Sequence, residues 1–486
     1  MGKIKRVFPV YLLLLFFLSC NSDKKEEEKT GQEIFSFDIE EIKERGKLIA
    51  VTDYNSTNYF IYRGQPMGYQ FDMLRQLADY LGIKLEVIVN NQLDKSFDYL
   101  QEGKCDIIAI NLGITKERKN IVSFTQPHTI SRQVLVQRKP ENWHRLSNRE
   151  LDERLIRNQL DLAGKTIYVP KESTFATRLK NLSDEIGDTI HIVEVADETE
   201  QLIEKVVERE IDYTVADENV AKVNLTYYPE LDIKTAVSFP QYLAWGVRKD
   251  AEKLKEEIDK WLVQFKKTTR YANIYNKYYR NQRSALIVTS DYYVINTGKI
   301  SAYDEIVKKA SGTIGWDWRL ISSLIYQESR FNPVAESWAG AYGLMQMMPT
   351  TGERFGVDKT SSPAQNIYGG VKFIKWLENR LKRSIKDPEE RVKFVLASYN
   401  VGLGHVQDAQ RLTLKYGKNP NIWEDNVEIY LKKKSEPKYF RDPVVKYGYC
   451  RGDEPYNYVR EILDRFDHYK NIIPKDKEEK ELQALR

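Results

Sequence analysis

The chain has 486 residues, enough for two or three domains, and its 75 Lys and Arg against 71 Asp and Glu leave a formal charge of only +4. So even a balance argues against nucleic acid as a partner. Three cysteines in a chain of this length argue against a disulfide framework.

Residues 1–19 open with Lys3, Lys5 and Arg6 and continue through the apolar run Val10 to Leu18, the pattern of a secretory signal and too short to span a bilayer. Their removal takes three positive charges and no negative one, which lowers the formal charge from +4 to about +1. The run ends at Phe17-Leu18-Ser19-Cys20, which resembles a bacterial lipobox with Phe17 where leucine is more usual. That resemblance implies acylation of Cys20, a lipid anchor in the membrane, and a place in the cell envelope, at the outer membrane facing the periplasm. An ordinary signal peptide with an incidental cysteine is the alternative. Residues 20–40, with Asp23-Lys24-Lys25-Glu26-Glu27-Glu28, read as a disordered tether. Cys105 and Cys450 fall in different predicted domains and read as free, buried thiols.

From 41 to 279 short β-rich runs alternate with amphipathic helical ones, the pattern of an α/β fold with a mainly parallel sheet. Lys47–Thr52, Lys84–Val89 and Asp106–Ile110 are predicted strands, and Phe71–Leu81 a helix closed by Gly82. Gly68-Tyr69-Gln70-Phe71-Asp72, Gly113-Ile114-Thr115-Lys116-Glu117-Arg118, Phe124-Thr125-Gln126-Pro127 and Ile211–Asp217 together resemble the family 3 solute-binding proteins, which bind amino acids outside the cell. The resemblance implies a two-lobed periplasmic-binding-protein-like domain, lobe one about 46–136 with 241–275 and lobe two about 138–236, the chain crossing near 137–140. It also implies that Arg118 grips a ligand's α-carboxylate and Asp217 its amine, chemistry that suits a forked guanidinium and an anionic acceptor. Otherwise Arg118 is a surface charge and Asp217 caps the following helix. Closure of two such lobes is a natural two-state element.

Residues 280–300 are polar and read as a linker, 301–470 as a mainly α domain, and 471–486 as a charged tail. Ser362-Pro363 predicts an N-cap with proline in the first turn, and Asp387-Pro388-Glu389-Glu390 a capping box ahead of Val392, Leu396 and Tyr399. Between Trp318 and Ser329 the apolar Trp318, Ile321, Leu324 and Ile325 recur at helical spacing, and Glu328 falls on the same stripe. Burial there disfavours the ionised carboxylate and raises its pKa, which a general acid needs if it is to hold a proton near neutral pH. A structural ion pair with Arg330 or another cation is the alternative. Asp317 reads as this helix's N-cap and Glu336 as part of an exposed loop, so a single carboxylate stands where most glycoside hydrolases use two.

Glu328-Ser329, Gly343-Leu344-Met345-Gln346, Ala397-Ser398-Tyr399-Asn400 and Tyr458 in Asn457-Tyr458-Val459-Arg460 follow in order, and their spacing from about Ser301 to Phe466 resembles the lytic transglycosylase (SLT, goose-lysozyme-like) domain. The departure is Ser398, inserted where that family runs Ala-Tyr-Asn. The resemblance implies a mainly α, lysozyme-like fold and a lyase acting on peptidoglycan glycan strands. In such a lyase Glu328 protonates the β-1,4 bond between N-acetylmuramic acid (MurNAc) and N-acetylglucosamine (GlcNAc), then draws a proton from the MurNAc 6-hydroxyl and leaves a 1,6-anhydro end. Ser329 and Tyr458 are implied to bond the acetamido group or orient Glu328, with Tyr456 as the fallback for Tyr458. Gln346, Tyr399 and Asn400 are implied to bind sugar or hold the site. Gly343 reads as a requirement of backbone shape, and Met345 and Met347 as core or as padding for the sugar face. The five scattered histidines form no set with metal-ligand spacing, so neither a metal nor a cofactor is expected. The N-terminal domain is then expected to regulate the enzyme through an amino acid or a muropeptide stem. Two rivals remain: a muramidase hydrolase using the same glutamate, and a non-catalytic peptidoglycan-sensing lipoprotein. The second predicts a lost Glu328 or a broken Gly-Leu-Met-Gln, and both are intact.

Overall fold

The computed structural model describes residues 37–171, 173–280, 290, 294–473 and 475. The expected signal segment, Cys20 where lipidation is expected, and most of the expected tether, linker and tail lie outside the described residues. Among the described residues no helix is long and apolar enough to cross a membrane.

Two sheets build the two lobes of an N-terminal α/β domain. In the first, Lys47–Thr52 lies between Lys84–Val89 and Ile107–Gly113 and runs parallel to both. Its residues Leu48 to Thr52 are all buried, as befits a parallel strand covered on both faces. Gln241–Val247 returns from the second lobe and pairs antiparallel with Ile107–Gly113. The helix Tyr69–Leu81 stops at Gly82, whose φ of 71° is the left-handed conformation glycine adopts without strain. In the second sheet the order is His191–Val195, Thr166–Pro170, Tyr213–Asp217, Gln133–Arg138, Leu231–Asp232. Gln133–Arg138 pairs with Tyr213–Asp217, so the chain enters this lobe after Ser131, a few residues before the crossing expected near 137–140.

The remainder is mainly helical. Ile321, Leu324 and Ile325 of the helix Trp318–Ser329 meet Ile367, Val371 and Ile374 of Pro363–Leu381, Phe394 to Ala397 of Pro388–Val401, and Val459 and Ile462 of Asp453–Ile472 in one core. Each such side chain contributes about 1.5–3 kcal/mol by leaving water, and together they hold the helix bearing Glu328 from several sides. Ser362 forms a full capping box with Gln365. Asp387 makes only half of the expected one. Its carboxylate accepts from the Glu389 N–H at 2.8 Å, but Glu390 turns away to accept from the Trp423 N–H at 2.7 Å.

The C-terminal helix Asp453–Ile472 joins the two domains. Twenty residues at 1.5 Å each make it about 30 Å long, enough to run from the Glu328 helix to the first lobe. At its far end Tyr469 donates to the Gly64 carbonyl at 2.5 Å, Asn471 to the Val87 carbonyl at 2.6 Å, and His468 Nδ1 pairs with the Tyr59 hydroxyl at 2.7 Å. Val294 and Ile300, within the stretch that reads as a polar linker, are instead buried in the helical core beside Ile61 of the first lobe. Cys105 and Cys450 are free and buried.

Candidate active site

Asp317 caps the glutamate helix by accepting from the Arg319 N–H at 2.9 Å, and the helix ends in a left-handed turn at Arg330, with φ 51°. Glu328 is therefore one residue from the end of a helix whose inner face is fully buried. Burial pushes its carboxyl up to about 7 from an ordinary 4.5, and the charge of Glu454 adds to the shift. The Tyr458 hydroxyl donates to Glu328 Oε1 and opposes that rise only in part. No cation pairs with Glu328 among the described residues, so the ion pair with Arg330 is not made. Near neutral pH this carboxyl holds its proton about half the time and can donate or accept one.

Three of the other motif residues meet at the Gly343–Gln346 turn. Ser329 Oγ donates to the Leu344 carbonyl at 2.8 Å and to Ile325 at 3.2 Å, tying the end of the glutamate helix to the Gly343–Gln346 turn. Gln346 spends its amide N–H groups on the Gly343 and Ala335 carbonyls, at 2.9 and 3.0 Å, and has a left-handed φ of 45°. The Tyr399 hydroxyl donates to the Met345 carbonyl at 2.7 Å, and the negative charge of Glu328 lies close enough to raise its pKa further. Asn400 is half-buried in the last turn of the helix Pro388–Val401. Tyr456 does not reach Glu328, because its hydroxyl faces Arg460 at 3.4 Å; of the two candidate tyrosines, Tyr458 alone makes the contact. Glu336 is exposed and paired with Lys359. Met345 and Met347 are core residues.

Two residues escape the sequence motifs. Asn366, buried on Pro363–Leu381, accepts from the Met345 N–H at 2.8 Å and donates to the Tyr342 carbonyl at 3.2 Å. Gly343 has φ 79°, and a Cβ there would lie 2.4 Å from the Asn366 amide nitrogen, so the glycine makes room for the asparagine. Glu454, exposed in the first turn of the C-terminal helix, supplies the second carboxylate in the field of Glu328. Its position one turn before Tyr458 was the available signal.

In the N-terminal domain, Arg118 Nη1 donates to the Gly113 carbonyl at 3.2 Å, and the charge of Arg118 acts on Asp217 across the lobes. Asp217 makes no side-chain cap to its helix. Burial and the neighbouring Asp53 push its carboxyl up to about 7, and Arg118 opposes this. Among the described residues no group of three His, Cys, Asp or Glu stands where it could hold a metal ion.

Comparison with known proteins follows the same division. Residues 47–281 match the family of bacterial extracellular solute-binding proteins, family 3, and residues 305–422 the transglycosylase SLT domain. Membrane-bound lytic murein transglycosylase F of Desulfosudis oleivorans is 34% identical over 88% of this chain and 90% of its own length. The protein of the same name from Saccharophagus degradans is 32% identical over 87% and 82%. Among solved structures, a P235GK mutant of ArgBP from T. maritima aligns with 50% of this chain and 99% of its own at 26% identity, with a TM-score of 0.43. The order of the domains, the intact motif set around Glu328 and the full-length similarity agree: the chain belongs to the membrane-bound lytic murein transglycosylase F family, enzymes that act on peptidoglycan, with a family 3 solute-binding domain ahead of the SLT domain.

Proposed function

We propose that Glu328 serves in turn as acid and base in a non-hydrolytic cleavage that leaves 1,6-anhydro-MurNAc ends. Protonated Glu328 gives its proton to the glycosidic oxygen, the MurNAc C1–O bond breaks, and GlcNAc leaves with a free 4-hydroxyl. The substrate's acetamido group stabilises the cation at C1, as in substrate-assisted glycosidases. The carboxylate then takes the proton of the MurNAc 6-hydroxyl while O6 bonds to C1, which returns Glu328 to its protonated form. The observation that carries this reading is a half-buried carboxyl that accepts from the Tyr458 hydroxyl and has no cation for a partner among the described residues, an environment that raises it to about 7. Tyr458 orients it, Ser329 and Tyr399 brace the Gly343–Gln346 turn, and Gln346 and Asn400 face the saccharide.

Mass analysis of products from purified murein tests the reading, with Glu328→Gln beside the parent. Anhydro-ended muropeptides from the parent and a loss of at least about a hundredfold in the variant are expected. Reducing ends, one water heavier, would move the assignment to a muramidase.

In the same reading residues 41–279 are a regulatory module, 301–470 the catalytic one, and Cys20 carries a lipid anchor at the outer membrane, facing the periplasm. Arg118 and Asp217 hold the carboxylate and amine of an amino acid or muropeptide stem. Support comes from their mutual field across the lobes and from the absence of the competing cap at Asp217. Calorimetric titration with free amino acids and stem peptides should give heat with the parent and none with Arg118→Ala; silence from the parent removes the regulatory role.

A further inference from the structure

A cavity of about 390 Å³ opens where the first lobe meets the glutamate helix and the C-terminal helix, and neither the catalytic chemistry nor the inter-lobe site uses it. Its walls carry three guanidiniums, Arg75 from the first lobe, Arg330 from the turn directly after Glu328, and Arg465 from the C-terminal helix. Arg465 is fixed: it lies 4.3 Å over the Tyr326 ring and donates to Gln327 Oε1 at 3.1 Å. Arg330 is exposed and makes no ion pair among the described residues, and Arg75 has only a loose one, 4.0 Å from Asp72. Of the two carboxylates present, Glu461 already accepts from Gln327 at 2.8 Å. The Asp464 side chain keeps 66% of its surface exposed and, with a carboxyl raised only to about 6, is mostly ionised at neutral pH, whereas the His468 ring is held neutral by burial. Three guanidiniums thus face two carboxylates, and the least committed of the five groups, Arg75 and Arg330, suit a ligand with carboxylates.

We propose that this cavity takes carboxylates of the peptide stem that a murein strand carries on the MurNAc sugar, with Arg75 and Arg330 as the gripping cations. The inference rests on the reading of Glu328 as the reacting group. Gln327 and Arg330 lie within two residues of Glu328, so the cavity opens within one helical turn of the reacting carboxyl, on a neighbouring face of the same helix. Arg465 lies seven residues beyond Tyr458 on one helix, about 10 Å along its axis. An extended peptide covers about 3.3–3.6 Å per residue, so roughly the third residue of a stem rooted at MurNAc arrives at these arginines. Because Arg75 belongs to the solute-binding-like domain, the stem subsite is complete only with both domains present.

The test uses the full chain carrying Glu328→Gln, so that affinity is read whether or not Glu328 is the catalyst. Dissociation constants are measured for stem-bearing strands and for strands stripped of stems by an amidase. Arg75→Ala removes an exposed side chain, and Arg330→Gly removes the guanidinium while easing the left-handed backbone at that position. Stem-bearing strands should bind about tenfold tighter or more, and the two substitutions together should abolish that preference. A merely structural role for these arginines would weaken both ligands alike and leave the ratio intact. Equal affinities from the start, or a preference that survives the double substitution, overturns the proposal. In a chain that also carries Arg118→Ala, which silences the inter-lobe site, free stem tripeptide should compete with stem-bearing strands alone; a tripeptide that there tightens the binding of stripped strands makes the cavity an effector site and overturns the proposal as well.

Discussion

Glu328 is set for its task by subtraction, since burial raises its carboxyl toward 7 and no guanidinium or ammonium among the described residues offsets the rise. Cleavage begins from the protonated form, so kcat/KM should fall as pH rises through about 7. Tyr458→Phe removes the hydrogen bond that favours the ionised form; the rate should drop, yet the alkaline limb should move to higher pH. A limb that moved lower would contradict the assignment. Stability carries a matching sign. A carboxyl raised above its unfolded value costs nothing below about 4.5 and progressively more as pH climbs through about 7, so Glu328→Gln should melt higher than the parent at pH 8 and alike at pH 4. The difference should be on the order of 1–3 kcal/mol by thermal unfolding. This residue was legible in the sequence because a glutamate on an apolar helical stripe is itself anomalous. Glu454 was marked only by its place one turn before Tyr458, since its effect on Glu328 is a field across space between residues far apart in the chain.

At the scale of elements, the Gly343–Gln346 turn is held by three separate helices, through Ser329, Tyr399 and Asn366. Two of these anchors stand inside recognisable motifs, whereas Asn366 sits on a helix whose apolar spacing says only that the helix is amphipathic. Its bonds to Met345 in the turn and to Tyr342 just before it exist only after tertiary packing. The same limit explains Asp387, where the local pattern fits a capping box but Glu390 finds Trp423, a partner that arrives from outside the segment. Strand and helix runs such as Lys47–Thr52 and Trp318–Ser329 were readable because burial period and end signals are local. Gly343→Ala should test the turn: a Cβ would meet the Asn366 amide at 2.4 Å on a backbone with φ 79°. We expect activity to fall by at least about tenfold with the circular dichroism spectrum preserved, because the strain is confined to one turn that positions groups for chemistry. Asn366→Ala should act in the same direction, leaving the buried Met345 N–H unpaired at a cost of about 1–3 kcal/mol.

Across the whole molecule the C-terminal helix is a rod with Tyr458 near one end and His468 near the other. His468 meets Tyr59, three residues beyond Ser56, whose backbone N–H and hydroxyl donate to Glu200 of the second lobe. Closure of the lobes thus ends on the same short loop that grips the rod. On the regulatory reading, a ligand that favours the closed arrangement shifts this loop, and the rod delivers the shift to the Tyr458–Glu328 contact; the ligand can change the rate only as far as it discriminates between the two arrangements. Tyr59→Phe separates the links. The ring, wholly buried, keeps its packing, and only the bond to His468 is lost. Calorimetry should find the ligand's dissociation constant within about twofold of the parent's, because Arg118 and Asp217 are untouched, while the change in murein-cleavage rate on adding ligand should shrink at least about threefold. An undiminished response would mean that coupling runs by another route, through the Tyr469 and Asn471 contacts to Gly64 and Val87, and their substitution would then be the next test of the rod.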